Sequence, residues 1–330
     1  MNVEQIVLIK QGYKIRGVCS PEYIDYFFKL YEPFSFKGIL WSKLAKIFNQ
    51  VGLNILFFKI EDPSYFKYNN LNYIELIDHF KRIFGNIDFK LILLLPYDQE
   101  RGRVTGLLIL KSENMLFFKF SFLVSDKNAL NQEIAALRFL NDNNINCFLF
   151  PQLKNVFNIN ENMQLNIYKP LPQNIRRIKP LWYPVLQNTW KKFSTKTLHH
   201  VSIDDIYSEI IIDEIEFKFH KKFKFCSIHG DFAPWNIKLD SKNQIWIYDW
   251  EDFERSAPYL TDPIYFIIQS EYLIKKSSIK KISKKILKNI VLIDNEAKLE
   301  DIYLALLYLF NKRNQKLFYK IYEYIKNIVV

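Results

Sequence analysis

The feature that most constrains the fold of this chain is a loop followed by a hairpin in residues 226–251. A His-Gly-Asp turn ending at Asp231 leads into two short apolar strands joined by a polar turn. Asn236 opens the first strand and Asp249 ends the second, with Glu251 two residues further. Because a hairpin brings its end back towards its start, these four oxygen-bearing side chains are expected to converge on one point.

These four side chains are suited to binding a hard cation beside a free carboxylate. Amide and carboxylate oxygens suit Mg²⁺, which takes one or two carboxylates together with phosphate oxygens. Metal binding by Asn236, Asp249 and Glu251 leaves Asp231 to accept a proton from an attacking hydroxyl, which describes phosphoryl transfer. The alternative is that these residues are polar turn residues at strand ends. A turn, however, needs neither acids at both strand ends nor a His-Gly-Asp sequence.

The pattern H-G-D-x-x-x-x-N, with a further acid eighteen residues after the Asp, resembles the aminoglycoside phosphotransferase and choline kinase group of the protein-kinase-like fold. The resemblance implies that Asp231 is the catalytic base and that Asn236 and Asp249 hold Mg²⁺. The Asp-x-Glu form of the last element makes Glu251 a second candidate ligand. ATP or GTP is then the implied phosphoryl donor.

The resemblance also implies supporting residues. His229 resembles the structural His of the catalytic loop, and Asp262 resembles an acid that orders this loop from the C-lobe. A strand lysine should reach the nucleotide phosphates and pair with a glutamate on the next helix. Lys119 lies within an otherwise apolar run, where a charge is costly unless paired, and Glu133 follows on the next helix. We therefore predict a Lys119–Glu133 ion pair, the alternative being a Lys on the solvent face of an edge strand.

The order of predicted elements agrees with a kinase-like N-lobe. A helix is predicted at 128–140, and strands are predicted at 89–95, 106–111, 115–122, 154–160 and 163–168. We expect an α+β, bilobal protein-kinase-like fold. Its parts are a mostly helical N-terminal extension of unknown role (1–87), a small, mainly antiparallel-sheet N-lobe (88–170) and a helical C-lobe with the catalytic loop and acceptor-binding helices (171–330).

Three further local predictions concern the lobes. The phosphate loop is expected at 97–106, where two glycines occur but no GxGxxG, and the hinge is expected at 168–171. A helix is predicted at 202–219. Since backbone amides can hold phosphate from a loop with few glycines, this departure from the family pattern does not exclude nucleotide binding.

Charge and cysteine content exclude several classes of protein. The chain carries 46 Lys+Arg and 35 Asp+Glu, a formal net charge of +11, but no Arg-rich cluster or nucleic-acid-binding module, so no nucleic-acid partner is expected. No apolar run approaches the roughly 18 residues of a membrane span. Three cysteines without metal-ligand spacing fit a reducing compartment, and a cytoplasmic location is expected.

A lysine-rich stretch at 275–288 holds seven Lys and no acid. Its isoleucines recur at helical spacing, so it is a basic amphipathic helix that suits either a membrane surface or the C-lobe. We favour a C-lobe helix that buries its isoleucines and leaves its lysines in water. Peripheral membrane contact is therefore not the preferred interpretation.

These features predict a Mg-ATP-dependent small-molecule kinase that acts on a hydroxyl of a sugar or glycan intermediate. The alternative is a kinase-fold binding protein without turnover, favoured by the glycine-poor phosphate loop. Residues 252–330 hold fourteen Lys+Arg and nine Asp+Glu. Because a basic lobe repels polycations, a neutral or anionic acceptor is expected rather than an aminoglycoside.

Overall fold

The structure is a computed structural model that describes most of the chain in two compact units. The units comprise residues 1–134 with 151–172, and residues 135–150 with 173–330. The described residues are 5–11, 14–30, 36–51, 57–63, 66–68, 71–85, 87–96, 102–110, 115–170, 172, 175–178, 183–202 and 222–329.

The first unit is built on an eight-stranded antiparallel sheet in the order β3-β1-β2-β6-β7-β8-β10-β9. The strands of this sheet are β1 (Ile6–Gln11), β2 (Lys14–Cys19), β3 (Phe58–Glu61), β6 (Phe89–Leu94), β7 (Arg103–Leu110), β8 (Met115–Ser121), β9 (Leu153–Asn158) and β10 (Gln164–Tyr168). A separate two-stranded ribbon pairs β4 (Lys67–Tyr68) with β5 (Leu71–Asn72).

Both faces of this sheet are covered by helices. The helices are α1 (Ile24–Leu30), α2 (Phe36–Gln50), α3 (Tyr73–Phe84) and α4 (Val124–Asp142), the last running past residue 134 into the second unit. Helix α3 begins where Asn72 Oδ1 accepts the Ile74 N–H at 2.9 Å and ends at Gly85, whose φ is 71°. Its Phe80 ring packs on Phe118 of β8 at 5.1 Å between centroids. Side chains alternate along a strand, so Lys119 points to the opposite face from Phe118.

The structure corrects the expectation of a separate, mostly helical extension at 1–87. Helices α1, α2 and α3 do lie in this region. Strands β1, β2 and β3, however, extend the sheet of the first unit by three strands, through the pairing of β2 with β6. The first 87 residues therefore complete the sheet and cover its apolar face with α3, and they are part of the first unit.

The second unit is mainly helical, with two small antiparallel sheets. Its sheets are β11-β14-β15 and β12-β13-β16, made of β11 (Arg176–Arg177), β12 (His199–Ser202), β13 (Lys222–Ile228), β14 (Ile237–Leu239), β15 (Ile245–Ile247) and β16 (Glu254–Pro258). Its helices are α5 (Tyr183–Thr197), α6 (Thr261–Gln269), α7 (Ile279–Ile293), α8 (Leu299–Arg313) and α9 (Lys316–Val329). The α+β class is thus confirmed, with the sheet N-terminal and the helices C-terminal.

Of the lysine-rich segment 275–288, residues 279–288 form the first ten residues of α7 and pack as part of a C-lobe helix. Ile282, Ile286 and Ile290 are at most 1% exposed, while Lys280, Lys281 and Lys284 are exposed to solvent. The interpretation as a helix with a buried isoleucine stripe is therefore confirmed. Within the described ranges, no helix is both long enough and apolar enough to cross a bilayer.

The cysteines and the helix predicted at 202–219 can also be compared with the structure. The three cysteines are free, and Cys19 and Cys226 are buried. Ser202, the first residue of the helix predicted at 202–219, is the last residue of β12, and residues 203–219 lie outside the described residues.

Candidate active site

The predicted catalytic loop follows β13 and leads into the β14–β15 hairpin. Its turn depends on Gly230, which has a φ of 82°. A Cβ atom at this position would lie 2.0 Å from the backbone oxygen of Asp252, a distance that no side chain can accept. The glycine of the His-Gly-Asp sequence is thus required both by its backbone conformation and by the close approach of a neighbouring chain segment.

His229 connects the loop to the hairpin. Its Nε2 lies 2.8 Å from the carbonyl oxygen of Tyr248, and its Nδ1 accepts the N–H of Asp231 at 3.2 Å. A carbonyl only accepts hydrogen bonds, so Nε2 must carry the proton and donate. The ring is also packed on Trp250, at 4.5 Å between centroids. His229 therefore acts structurally, as a bridge between two backbone groups.

Asp262 holds the same loop from the first turn of α6. Its Oδ2 accepts the His229 N–H at 2.7 Å and its Oδ1 accepts the Gly230 N–H at 3.1 Å. The residue is 1% exposed. Burial raises the pKa of Asp262, and the attraction of His229 and the two backbone donors oppose that rise. The loop is therefore anchored at the position that the sequence predicted.

The Asp231 carboxylate is held at both oxygens. Asn236 Nδ2 donates to Asp231 Oδ2 at 2.8 Å and to its backbone oxygen at 2.9 Å. The Tyr265 hydroxyl donates to Oδ1 at 2.7 Å. The side chain of Asp231 remains 21% exposed, so an acceptor hydroxyl can reach it. Since the amide of Asn236 uses its nitrogen towards Asp231, its Oδ1 is directed elsewhere and suits a cation.

Arg313, the last residue of α8, was not predicted from the sequence. Its Nη2 donates to Gly230 O at 2.5 Å and to Asp252 Oδ2 at 2.9 Å, and lies 3.7 Å from Asp231 Oδ1. Its guanidinium lies over the Tyr265 ring, 5.2 Å from the centroid. Arg313 and Tyr265 together therefore surround Asp231 on the side away from Asn236.

The sequence carried weak signals for both residues. Tyr265 lies three residues after Asp262 on α6, which places the two on the same helical face. Arg313 is one of nine Arg in a chain with 46 Lys+Arg, so its occurrence in a lysine-rich chain is itself informative. No spacing rule connects it to the loop, from which it is separated by 83 positions.

The hairpin places Asp249 beside Asn236. Strand β14 pairs with β15 in the register Ile237 to Ile247, and the Tyr248 N–H donates to the Asn236 oxygen at 2.9 Å. Asp249 has a φ of 66°, a left-handed conformation that costs a non-glycine residue about 1 kcal/mol or more. Such strain is often found at functional sites. Glu251 lies in the 3₁₀ turn Trp250–Asp252 and is partly buried.

The donor set at this hairpin end fits Mg²⁺ by its chemistry. Amide and carboxylate oxygens are available from Asn236 and Asp249, and phosphate oxygens and water would complete the shell. Among the residues that the structure describes, no group of three or more His, Cys, Asp or Glu side chains is placed to hold a metal ion. The magnesium site therefore stays a prediction. In this prediction the Asn236 amide and the phosphates of a nucleotide are needed as ligands in addition to the carboxylates.

In the first unit, the predicted ion pair is formed. Lys119 Nζ lies 2.9 Å from Glu133 Oε1, and the two residues are 6% and 1% exposed. The Tyr168 hydroxyl donates to Glu133 Oε2 at 2.6 Å. Burial and the charge of Glu133 raise the pKa of Tyr168, which therefore stays a donor. The alternative of a solvent-facing Lys119 is wrong.

The expected phosphate loop is only partly described. Residues 97–101 lie outside the described residues, and Arg103 already begins β7. Gly106 is a strand residue, where a Cβ would lie 2.0 Å from the Ile92 oxygen on β6. Its role is thus a close approach of two strands, and the expected phosphate loop is shorter at this end because β7 begins at Arg103. Gly102 donates its N–H to Asp126 Oδ2 at 2.9 Å. The hinge at 168–171 stays a prediction.

Comparison with known proteins gives a structural resemblance alone. No protein-family model and no curated protein matches the sequence. An aminoglycoside-3'-phosphotransferase of type VIII is 11% identical, with 76% of this chain and 97% of that chain covered and a TM-score of 0.45. A choline kinase from Streptococcus pneumoniae is 10% identical, with 77% and 97% covered and a TM-score of 0.41. An amicoumacin kinase is 11% identical, with 73% and 88% covered and a TM-score of 0.39. The chain is thus similar to solved structures of the group that its motif resembles, at a level that carries no conclusion about function.

Proposed function

We propose that this protein transfers the terminal phosphoryl group of a Mg-nucleotide, ATP or GTP, to a hydroxyl of a small molecule. The observation that carries the proposal is the setting of Asp231. Its carboxylate is partly exposed, held by Asn236 and Tyr265, and set on a loop whose backbone is anchored by buried Asp262. A fixed carboxylate next to oxygen ligands for a cation is what phosphoryl transfer to a hydroxyl requires.

Each residue has a distinct role in this proposal. Asp231 orients the acceptor hydroxyl and takes its proton. Asn236 and Asp249 hold Mg²⁺, with Glu251 as a second carboxylate ligand. A bound Mg²⁺ supplies charge neutralisation at the phosphate oxygens. Catalysis then rests on positioning and electrostatics, without a covalent intermediate on the protein.

Lys119 is assigned to the nucleotide phosphates, and Glu133 to the position of Lys119. The pair is buried, and Tyr168 occupies the second carboxylate oxygen of Glu133. A buried lysine loses mobility and hydration, so its ammonium can be directed at a phosphate with little further ordering. This arrangement favours nucleotide binding over a purely structural pair.

The acceptor is proposed to be neutral or anionic and sugar-like. A polycationic acceptor needs free acids in its pocket, and three acids of the second unit could take that role. Each is paired with a base: Asp252 with Arg313, Glu254 with Lys312, and Glu271 with Lys275 and Lys285. Their charge is already neutralised, which disfavours an aminoglycoside.

The second candidate function is a kinase-fold binding protein without turnover. It is favoured by one contact, because Asp231 Oδ1 already accepts from the Tyr265 hydroxyl and has Arg313 at 3.7 Å. An acceptor hydroxyl would have to compete with both neighbours for this oxygen. The retained Asp231, Asn236 and Asp249 favour the enzyme.

Turnover separates the two functions. Phosphate transfer from Mg-ATP and Mg-GTP is measured against neutral sugars, sugar acids, amino alcohols and aminoglycosides, with wild type and Asp231→Asn in parallel. We expect transfer to a neutral or anionic sugar, a loss of about 100-fold or more in Asp231→Asn, and unchanged nucleotide affinity in that variant. Nucleotide binding without transfer to any acceptor would favour the binding protein. Efficient transfer to an aminoglycoside, with kcat/KM of about 10⁴ M⁻¹s⁻¹ or more, would contradict the proposed acceptor.

A further inference from the structure

The turn that follows α6 exposes three consecutive apolar residues. Residues Ser270–Ile274 continue α6 as a π-helical turn, and Tyr272, Leu273 and Ile274 within it are 44%, 37% and 46% exposed. A single exposed apolar side chain is common on a protein surface and needs no explanation. Three in succession, one of them aromatic, form a contiguous patch, which often marks a surface that binds a partner.

A row of lysines follows this turn directly. Lys280, Lys281, Lys284 and Lys288 are exposed on α7 and, at 100° per residue, span an arc of about 100° opposite the buried isoleucines of the helix. Lys276, in the connection before the helix, is exposed as well. Within the described part of the chain, none of these five lysines forms an ion pair. Their positive charges are therefore uncompensated.

The one acid in residues 270–288 does not reduce this charge. Glu271 is fully buried, and its carboxylate accepts hydrogen bonds from Lys275, Lys285 and the Ser277 hydroxyl. Because Lys285 belongs to α7, Glu271 also fastens the turn to that helix, so the apolar turn and the lysine row lie side by side. We call them together the basic face: residues 272–274, Lys276, Lys280, Lys281, Lys284 and Lys288.

The composition of the basic face fits the surface of an anionic lipid bilayer. Lysines are attracted to anionic headgroups, while tyrosine and aliphatic side chains enter the interfacial region of the bilayer. Nucleic acid would use the lysines alone, because contacts to a phosphate backbone are electrostatic, and would leave Leu273 and Ile274 in water. The joint exposure of apolar and cationic side chains therefore favours lipid over nucleic acid.

We propose that the basic face docks this protein on an anionic phospholipid membrane. The five lysines contact the headgroups, and the side chains of residues 272–274 insert between them. The isoleucines of α7 stay buried in the protein, so the helix itself does not enter the bilayer. The exposed turn before the helix supplies the apolar contact that the lysine row lacks.

Sedimentation with vesicles tests this proposal on the full-length protein. Vesicles of phosphatidylcholine with about 30 mol% phosphatidylserine are compared with vesicles of phosphatidylcholine alone, in about 0.1 M salt. We expect saturable binding to the anionic vesicles, about tenfold or more tighter than to the neutral ones, and much weaker binding when the salt is raised to about 0.5 M. No nucleotide is used, so the result does not depend on the proposed kinase activity.

Two triple variants remove the same charge from different parts of the chain. The variant Lys280→Gln/Lys281→Gln/Lys284→Gln should bind anionic vesicles about 100-fold more weakly, since each lysine near an anionic surface strengthens binding about fivefold. The control should retain wild-type binding within about twofold. It changes three exposed lysines of the first unit: Lys67→Gln, Lys81→Gln and Lys154→Gln.

A second matched pair tests the apolar turn. Ile274 and Ile328, the latter on α9, are 46% and 45% exposed, so Ile→Ser makes the same change at nearly the same exposure. Ile274→Ser should weaken binding to anionic vesicles about fivefold, because the side chain no longer enters the interface. Ile328→Ser should bind as wild type does. Thermal melts establish that each variant is folded.

Four results would overturn the proposal. The first is equal sedimentation with anionic and neutral vesicles, or sedimentation with neither. The second is equal weakening by the two triple variants. The third is wild-type vesicle binding by Ile274→Ser, which would show that the turn does not touch the bilayer. The fourth is tighter binding to a DNA duplex than to anionic vesicles at equal negative charge, which would identify nucleic acid as the partner.

Discussion

The Tyr265 hydroxyl donates a 2.7 Å hydrogen bond to Asp231 Oδ1, the oxygen that is not bound by Asn236. Burial and the negative charge of Asp231 raise the pKa of Tyr265, so the phenol stays protonated and stays a donor at neutral pH. In the proposed reaction, Tyr265 is therefore a positioning residue for the catalytic carboxylate.

Tyr265→Phe tests this role. The ring and its packing are kept, so the free energy of unfolding should fall by only about 1 kcal/mol, while kcat falls about tenfold because the carboxylate loses its orientation. The KM for the nucleotide should not change. Steady-state kinetics give both values. Tyr303→Phe, on α8 and packed on Tyr322 at 5.3 Å, is the control and should retain wild-type kcat. Equal kcat in wild type and Tyr265→Phe would remove Tyr265 from the site.

The Lys119–Glu133 pair is tested by a double-mutant cycle. Lys119→Met leaves a buried carboxylate uncompensated and should lower the free energy of unfolding by about 3–5 kcal/mol. The double variant Lys119→Met/Glu133→Gln removes both charges and should recover much of that loss. Nucleotide affinity should stay weak in both variants, because the ammonium is absent. Urea unfolding with and without Mg-ATP measures both quantities. Wild-type nucleotide affinity in the double variant would show that the pair is only structural.

Gly230 and Gly85 provide a matched pair of glycines with positive φ. Their φ values are 82° and 71°, but a Cβ would lie 2.0 Å from the Asp252 oxygen at Gly230 and would have no atom within 4 Å at Gly85. Gly85→Ala should therefore cost about 1 kcal/mol of stability, from backbone strain alone. Gly230→Ala should cost several times more, on the order of 3 kcal/mol, and abolish turnover. Chemical denaturation measures the difference, and equal costs would contradict the close approach.

Glu271 gives a pH-dependent prediction. Burial alone would raise the pKa of Glu271, but the hydrogen bonds from Lys275, Lys285 and Ser277 outweigh it and lower the pKa to about 2. Compared with an ordinary Glu at about 4.3, the folded state holds its proton less tightly, which stabilises the fold by about 3 kcal/mol at neutral pH. This stability is fully present above pH ~4.3 and is lost as the pH falls towards ~2.

Urea unfolding between pH 6 and 3 measures this loss. Glu271→Gln should be less stable than wild type at pH 6, and the difference should shrink as the pH falls. Glu323→Gln, at an exposed position of α9, should follow the wild-type pH dependence. A constant difference between Glu271→Gln and wild type across this range would show that folding does not lower the pKa of Glu271.

The features that could be predicted from the sequence depend on residues that lie close together along the chain. The loop and the hairpin lie within 26 residues, and turn chemistry and alternation define their geometry. Lys119 and Glu133 could be paired because a single charge interrupts an apolar strand and a helix follows directly.

The parts that sequence reasoning missed depend on contacts between distant segments. Strand β1 begins with four consecutive buried residues, Ile6-Val7-Leu8-Ile9, and such a run without alternation cannot be distinguished from a buried helix. Arg313 reaches Gly230 across 83 positions. Such a contact has no period or spacing that can be read along the chain.

The central claim is that the hairpin end holds a magnesium–nucleotide complex, and calorimetric titration of nucleotide with and without Mg²⁺ tests it most directly. The account predicts Mg-dependent binding by wild type, loss of that dependence in Asp249→Asn, and wild-type binding in Asp240→Asn. Asp240, in the turn at the other end of the hairpin, accepts from Lys242 N and Gln244 N at 2.9 Å and from Trp246 Nε1 at 3.2 Å, so its role is to support the hairpin. Absence of Mg-nucleotide binding in wild type, or unchanged Mg dependence in Asp249→Asn, would contradict it.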